Sequence, residues 1–121
     1  FTAAAAMLDS LGIGFLELRE PGPEGTFGRT DVPKQSPAIR KVFKGPLVPN
    51  SDLTLNDGNA LIASGLADAV SYGRPFIANP DLVERFRAGA ELNADKPMNW
   101  YVYNDPAEGY TDFPTLAETQ G

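Results

Sequence analysis

The sequence predicts an α/β protein with parallel strands. Short apolar runs that read as strands begin near residues 15, 46 and 67, and helical patterns occupy every gap between them. The order is therefore α-βα-βα-βα followed by a tail. Strands joined by helices favour parallel pairing through right-handed crossovers. Three strands cannot close a barrel, and an open sheet of three leaves its edges exposed. The chain also starts in FTAAAAMLDSLG, already the body of a helix. Both features read as a piece of something longer.

Taken in order, Thr2 is placed to cap a helix running through Ala3–Ala6, Met7 and Leu8 to Leu11, with Gly12 at its C-terminal end. Phe15-Leu16-Glu17-Leu18-Arg19-Glu20 reads as the first strand, stopped by Pro21-Gly22-Pro23. Residues 21–35 show no period and read as a long loop, functional or mobile. Ser36-Pro37 opens a second helix as N-cap and first residue, with Ile39, Val42 and Phe43 as its apolar stripe. Pro46-Leu47-Val48-Pro49 is placed as a buried strand, and Asn50-Ser51-Asp52 as a polar turn. Thr54 with Asp57 resembles a capping box for a third helix that stops at Gly65. Ala67 to Tyr72 forms the last strand, and Gly73-Arg74-Pro75 a sharp turn. Asn79 as N-cap and Pro80 as first residue then open a helix closing near Gly89. Residues 90–121 read as an extended tail carrying Trp100, Tyr101, Tyr103, Tyr110 and Phe113.

The 121 residues are enough for one domain with a core. A net charge of -6 argues against nucleic acid and anionic membranes as partners. With neither cysteine nor histidine, there is no disulfide framework, no thiolate metal site and no imidazole base. No apolar run spans a bilayer and no signal peptide is visible, so a cytoplasmic protein is the default expectation.

In parallel α/β folds the functional loops follow the C-terminal ends of the strands. Here those are residues 20–35, 49–54 and 72–79. If they follow strands six, seven and eight of a barrel, the last two commonly make a phosphate site. Asn50-Ser51 offers backbone N–H groups and two polar side chains. Gly73 permits close backbone approach, and Arg74 offers a two-pronged donor. The plain alternative is a βα turn with glycine for geometry and arginine on the surface. Glu17, Arg19 and Glu20 read as a salt-bridged interior or rim rather than as catalysts. Asp68 reads as a loop cap or a neighbour of the adjacent strand, not a base. For Trp100 and Tyr101, packing is favoured over a pocket role.

Those residues carry a resemblance. GRPFIANPDLVERF at 73–86, with AEGYTDFPTL at 107–116, is similar to the C-terminal end of the old yellow enzyme family, flavin-dependent ene-reductases built on an eight-stranded α/β (TIM) barrel. FLELREP resembles its sixth strand, and KGPLVPNSDLT its seventh strand and turn. The bacterial 2-enoate and enone reductase branch fits best. The resemblance covers essentially the whole chain. It implies FMN, reduced by NADPH or NADH, and an activated alkene as substrate. Carried over by motif, Gly73 and Arg74 match the pair that binds the FMN phosphate. Asn50 and Ser51 match the other half of that site, where many members have a small glycine-containing turn. Phe76 falls beside the flavin ring edge, Tyr101 near the substrate pocket, and Phe27 in the loop shaping its opening. The family's carbonyl-gripping His/Asn or His/His pair, proton-donating tyrosine and remaining flavin contacts lie earlier in the barrel. The expected partner is therefore the N-terminal remainder of the barrel, strands one to five. The competing readings are a non-catalytic phosphate or nucleotide-binding module and a purely structural fragment that completes another barrel.

Overall fold

The computed structural model describes residues 1–21, 31–50, 52–94, 108–109 and 111–119. The chain divides into two compact units, residues 1–72 and 73–121.

The first unit contains α1 (Thr2–Ser10), β1 (Leu16–Arg19), α2 (Ser36–Val42), β2 (Leu47–Asn50) and α3 (Leu55–Ala63). β1 and β2 pair in parallel, Leu16 opposite Leu47 and Arg19 opposite Asn50. Side chains alternate along a strand. Leu16 and Leu18 therefore pack against the buried cluster of Ala5, Ile39, Phe43 and Leu47, while Glu17 and Arg19 fall on the opposite, exposed face. Helices thus cover one face of the sheet, and the other carries Glu17, Arg19, Val48 and Asn50.

The expected third strand is present in place but not as a ladder. Residues 67–72 run along the far side of β2, with Asp68 N–H donating to the Leu47 carbonyl at 2.9 Å and Ser71 N–H to that of Pro49 at 3.1 Å. The return bonds are missing for a chemical reason. Pro49 has no N–H to give, and the Leu47 N–H goes to the Asp68 carboxylate at 2.9 Å. Asp68 also holds Arg40 at 2.8 Å, and the two donors, the Leu47 N–H first, keep its carboxyl below the usual range. It is a strand clip.

Helix ends correct several expectations. Phe1, not Thr2, holds the cap position of α1. Gln35 precedes α2, so Ser36 is its first residue and is buried. The free N–H groups there are taken instead by the Glu20 carboxylate, which accepts from Gln35 and, at 3.0 Å, from Ser36. Thr54 and Asp57 do form the reciprocal capping box on α3. Within α3, Gly58 touches the extended segment: a Cβ there would lie 2.5 Å from the Tyr72 hydroxyl. That hydroxyl donates to the Thr54 carbonyl at 3.3 Å. Alanine at 58 gains up to about 1 kcal/mol in helix propensity, but overpacking costs about 1–3 kcal/mol. Gly58→Ala is therefore expected to lower stability by about 1 kcal/mol in urea unfolding.

The second unit contains α4 (Arg74–Ala78), α5 (Leu82–Ala88) and α6 (Leu116–Thr119). The sequence placed a turn at residues 73–75 and a helix starting from Asn79. Instead α4 begins at Arg74, Asn79 ends it, and Asp81 precedes α5. Asn79 is 1% exposed. Its amide donates to the Pro75 carbonyl at 2.9 Å, and its carbonyl accepts from Asn93 N–H at 2.7 Å. A side chain so engaged is closing the previous helix. α6 was expected as extended tail; Thr115 and Glu118 cap it reciprocally, Thr115 N–H donating to Glu118 at 2.8 Å.

Arg85, 3% exposed, organises this unit. Its Nε meets Asp81 at 2.8 Å, Nη1 donates to the Glu91 carbonyl at 2.7 Å, and Nη2 to that of Pro114 at 2.9 Å. Asp81 also accepts Leu116 N–H at 2.5 Å. That bond first, then Arg85, lowers the Asp81 pKa. A carboxyl with a depressed folded pKa stabilises above the unfolded value of about 3.9, and the contribution vanishes as pH falls through the folded pKa. Asp81→Asn is therefore expected to flatten the acid limb of the stability curve below about pH 4, as read by thermal unfolding across pH.

Candidate functional site

The strand tips of the first unit bring three residues together. Asn50, the last residue of β2, donates from Nδ2 to the Ser71 hydroxyl at 2.7 Å and to Glu17 Oε1 at 3.2 Å. Ser71 in turn donates to the same Glu17 oxygen at 2.6 Å. A carboxylate only accepts, so the Asn50 atom facing it must be the amide nitrogen. Three adjacent extended segments thus converge on the helix-free face, at the end where α/β proteins bind ligands. Asn50 was singled out from the sequence. Glu17 was read as interior or rim, and Ser71 was only placed within the last strand, Ala67 to Tyr72. The Leu-Glu-Leu-Arg alternation was the available signal, since it puts Glu17 on the face of Asn50 once register is known.

Beyond Asn50, Ser51 lies outside the described residues. Asp52 has φ 50, a left-handed conformation rare outside glycine. Asparagine and aspartate tolerate it best, so the Asn-Ser-Asp composition of the turn was its signal.

In the second unit Gly73 stands at the cap position of α4. Its φ of -90 needs no glycine, and a Cβ there would meet nothing within 4 Å. Among the described residues, packing thus leaves open the space beside this backbone. Arg74 follows as the first residue of α4 and is half-buried. Phe76 is 44% exposed and lines a cavity of about 300 Å³ with Ile77, Pro80, Thr111 and Phe113. Tyr101 and Phe27 lie outside the described residues, as does Trp100.

Among the described residues, no cluster of three or more acidic side chains could hold a metal ion. Among the same residues, no helix is long and apolar enough to cross a membrane. Tyr72 has its hydroxyl pushed up by burial and by Asp57, so it stays a neutral donor.

No protein-family profile matches the chain. It is 41% identical over 115 residues to a 12-oxophytodienoate reductase-like protein of Solanum lycopersicum, an alignment covering 95% of this chain and 30% of that protein. It is 44% identical over 81 residues to 12-oxophytodienoate reductase 2 of Arabidopsis thaliana, covering 67% of this chain and 21% of that one. Among solved structures, the old yellow enzyme homologue NCR of Zymomonas mobilis superposes with a TM-score of 0.88 at 53% identity, over 96% of this chain and 32% of that one. Morphinone reductase superposes at 0.82 and 37% identity, over 99% and 31%. The chain thus spans about a third of the length of the relatives it matches most fully. Over that third, it belongs to the old yellow enzyme family.

Proposed function

We propose that these residues form strands six to eight and the tail of an eight-stranded barrel, in an FMN-dependent NADPH or NADH ene-reductase acting on activated alkenes. The observation that carries this reading is the 53% identity to NCR across 96% of the chain. Two features of the structure support it. Among the described residues nothing fills the space beside the Gly73 backbone at the start of α4, with Arg74 next to it, which suits a phosphate approaching closely. Phe1, Leu11 and Phe15 are 90%, 68% and 60% exposed, apolar surface that suits cover by the remainder of the barrel.

In this reading Gly73 and Arg74 bind the FMN phosphate, Asn50 and Ser51 match the other half of that site on resemblance alone, and Phe76 falls beside the ring edge. Tyr101 and Phe27 line the substrate opening on resemblance alone. FMN, when bound and reduced, supplies hydride to the β-carbon of the alkene. With no histidine in its sequence, this chain grips the cofactor but not the substrate carbonyl. The site is a holder, and the alkene-handling groups belong to the preceding strands.

The test is a redox cycle on purified protein containing the whole barrel. A yellow solution that bleaches with NADPH or NADH under nitrogen and recolours with cyclohexenone supports the reading. Colour without bleaching makes it a nucleotide-binding module. No flavin at all makes this portion structural.

A further inference from the structure

α4 has five residues, Arg74–Ala78, well short of the roughly twelve at which a helix begins to hold itself together in water. Its order therefore comes from what it touches. Two carbonyls of α4 accept from side chains: that of Pro75 from the Asn79 amide at 2.9 Å, and that of Ala78 from Asn93 Nδ2 at 2.8 Å. Asn93 N–H also donates to the Asn79 side-chain oxygen at 2.7 Å. The same Asn93 Nδ2 donates to the Pro114 carbonyl, in the tail, at 2.8 Å. Two further bonds hold the tail in place, Arg85 to that Pro114 carbonyl at 2.9 Å and Leu116 N–H to Asp81 at 2.5 Å. One asparagine thus ties the end of α4 to the tail. A second contact runs beside it, since Phe113 of the tail and Phe76 of α4 line one cavity.

We infer that the docked tail orders α4, so that FMN binding and tail docking strengthen each other, with Asn93 as the positioning residue that joins them. This rests on the FMN reading above, in which α4 carries Arg74 and Phe76. A helix ordered in advance presents both residues without the entropy cost of fixing its backbone on binding. Coupling of this kind is reciprocal: the factor that the docked tail adds to FMN affinity is the factor that bound FMN adds to tail docking. Asn93 has no place against FMN in that reading and acts through α4.

The experiment uses the whole protein and two readouts, the FMN dissociation constant of the apoprotein and amide hydrogen exchange with and without FMN. Asn93→Ala keeps Arg74 and Phe76 and cuts the side-chain link. It is expected to weaken FMN about fivefold, the low end of ordinary coupling between sites. In wild type, saturating FMN is expected to slow exchange over residues 111–119 about fivefold more than over α2, and Asn93→Ala should lose that excess. A chain ending at Phe113, which lacks Pro114 and Leu116, should weaken FMN at least as much and serves if Asn93→Ala does not fold. The wild-type exchange measurement needs no variant. FMN affinity that is unchanged while tail exchange quickens makes Asn93 a purely structural residue and overturns the inference. Wild-type tail exchange that FMN slows no more than α2 overturns it too, and leaves FMN as cofactor intact. Apoprotein that binds no FMN overturns both readings.

Discussion

Arg85→Ala is expected to lower the stability of the protein by about 3 kcal/mol. Arg85 is 3% exposed and has three partners, the Asp81 carboxylate and the carbonyls of Glu91 and Pro114. Removing it leaves two backbone acceptors without this donor and a carboxylate without its cation. Asn93 backs up one of these, donating to the Pro114 carbonyl at 2.8 Å, which keeps the loss from running higher. Arg85→Lys should recover only part, because a single ammonium on a flexible stem does not reproduce a planar fork spanning three acceptors. Urea unfolding of wild type and both variants decides it. A loss under about 1 kcal/mol would mean these bonds contribute no more than an exposed ion pair.

The second large effect is on cofactor affinity. Arg74→Ala should weaken FMN binding by about 1.5–3 kcal/mol, roughly 10- to 150-fold, the value of a charge-assisted contact to phosphate. Arg74→Lys should fall between, since a point charge keeps the attraction and loses the two-pronged geometry. Quenching of flavin fluorescence on titrating apoprotein gives both numbers. Unchanged affinity in Arg74→Ala would return Arg74 to an ordinary helix-start residue.

Local chemistry was legible in the sequence where its partners lie within a few residues. The Thr54–Asp57 box and the left-handed Gly65 and Gly89 at helix ends could be read directly. Phe15 to Glu20 read as a strand, and Leu16–Arg19 forms one. Readings failed where a distant group took over a local role. Ser36 looked like an N-cap, but Glu20, sixteen positions away, satisfies that helix end. Asn79-Pro80 has the form of a helix start, yet Asn93 and Pro75 engage the asparagine and the helix waits for Leu82. The apolar run at 67–72 was correctly extended. Its ladder failed because Pro49 lacks a donor and Asp68 intercepts the Leu47 N–H.

The candidate site divides the same way. Residue types that bind anions were visible as Gly73-Arg74 and Asn50-Ser51. How the Asn50 amide is spent was not, because Glu17 and Ser71 lie 33 and 21 positions away in sequence. Family resemblance supplied the cofactor, while the structure supplied the partners of Asn50.

The account stands on this chain gripping the phosphate end of FMN. Titrating the whole apoprotein with FMN and with riboflavin, which lacks only the phosphate, isolates that grip. The account predicts FMN tighter by about a hundredfold, a preference that Arg74→Ala largely removes. Equal affinity for the two flavins would contradict it.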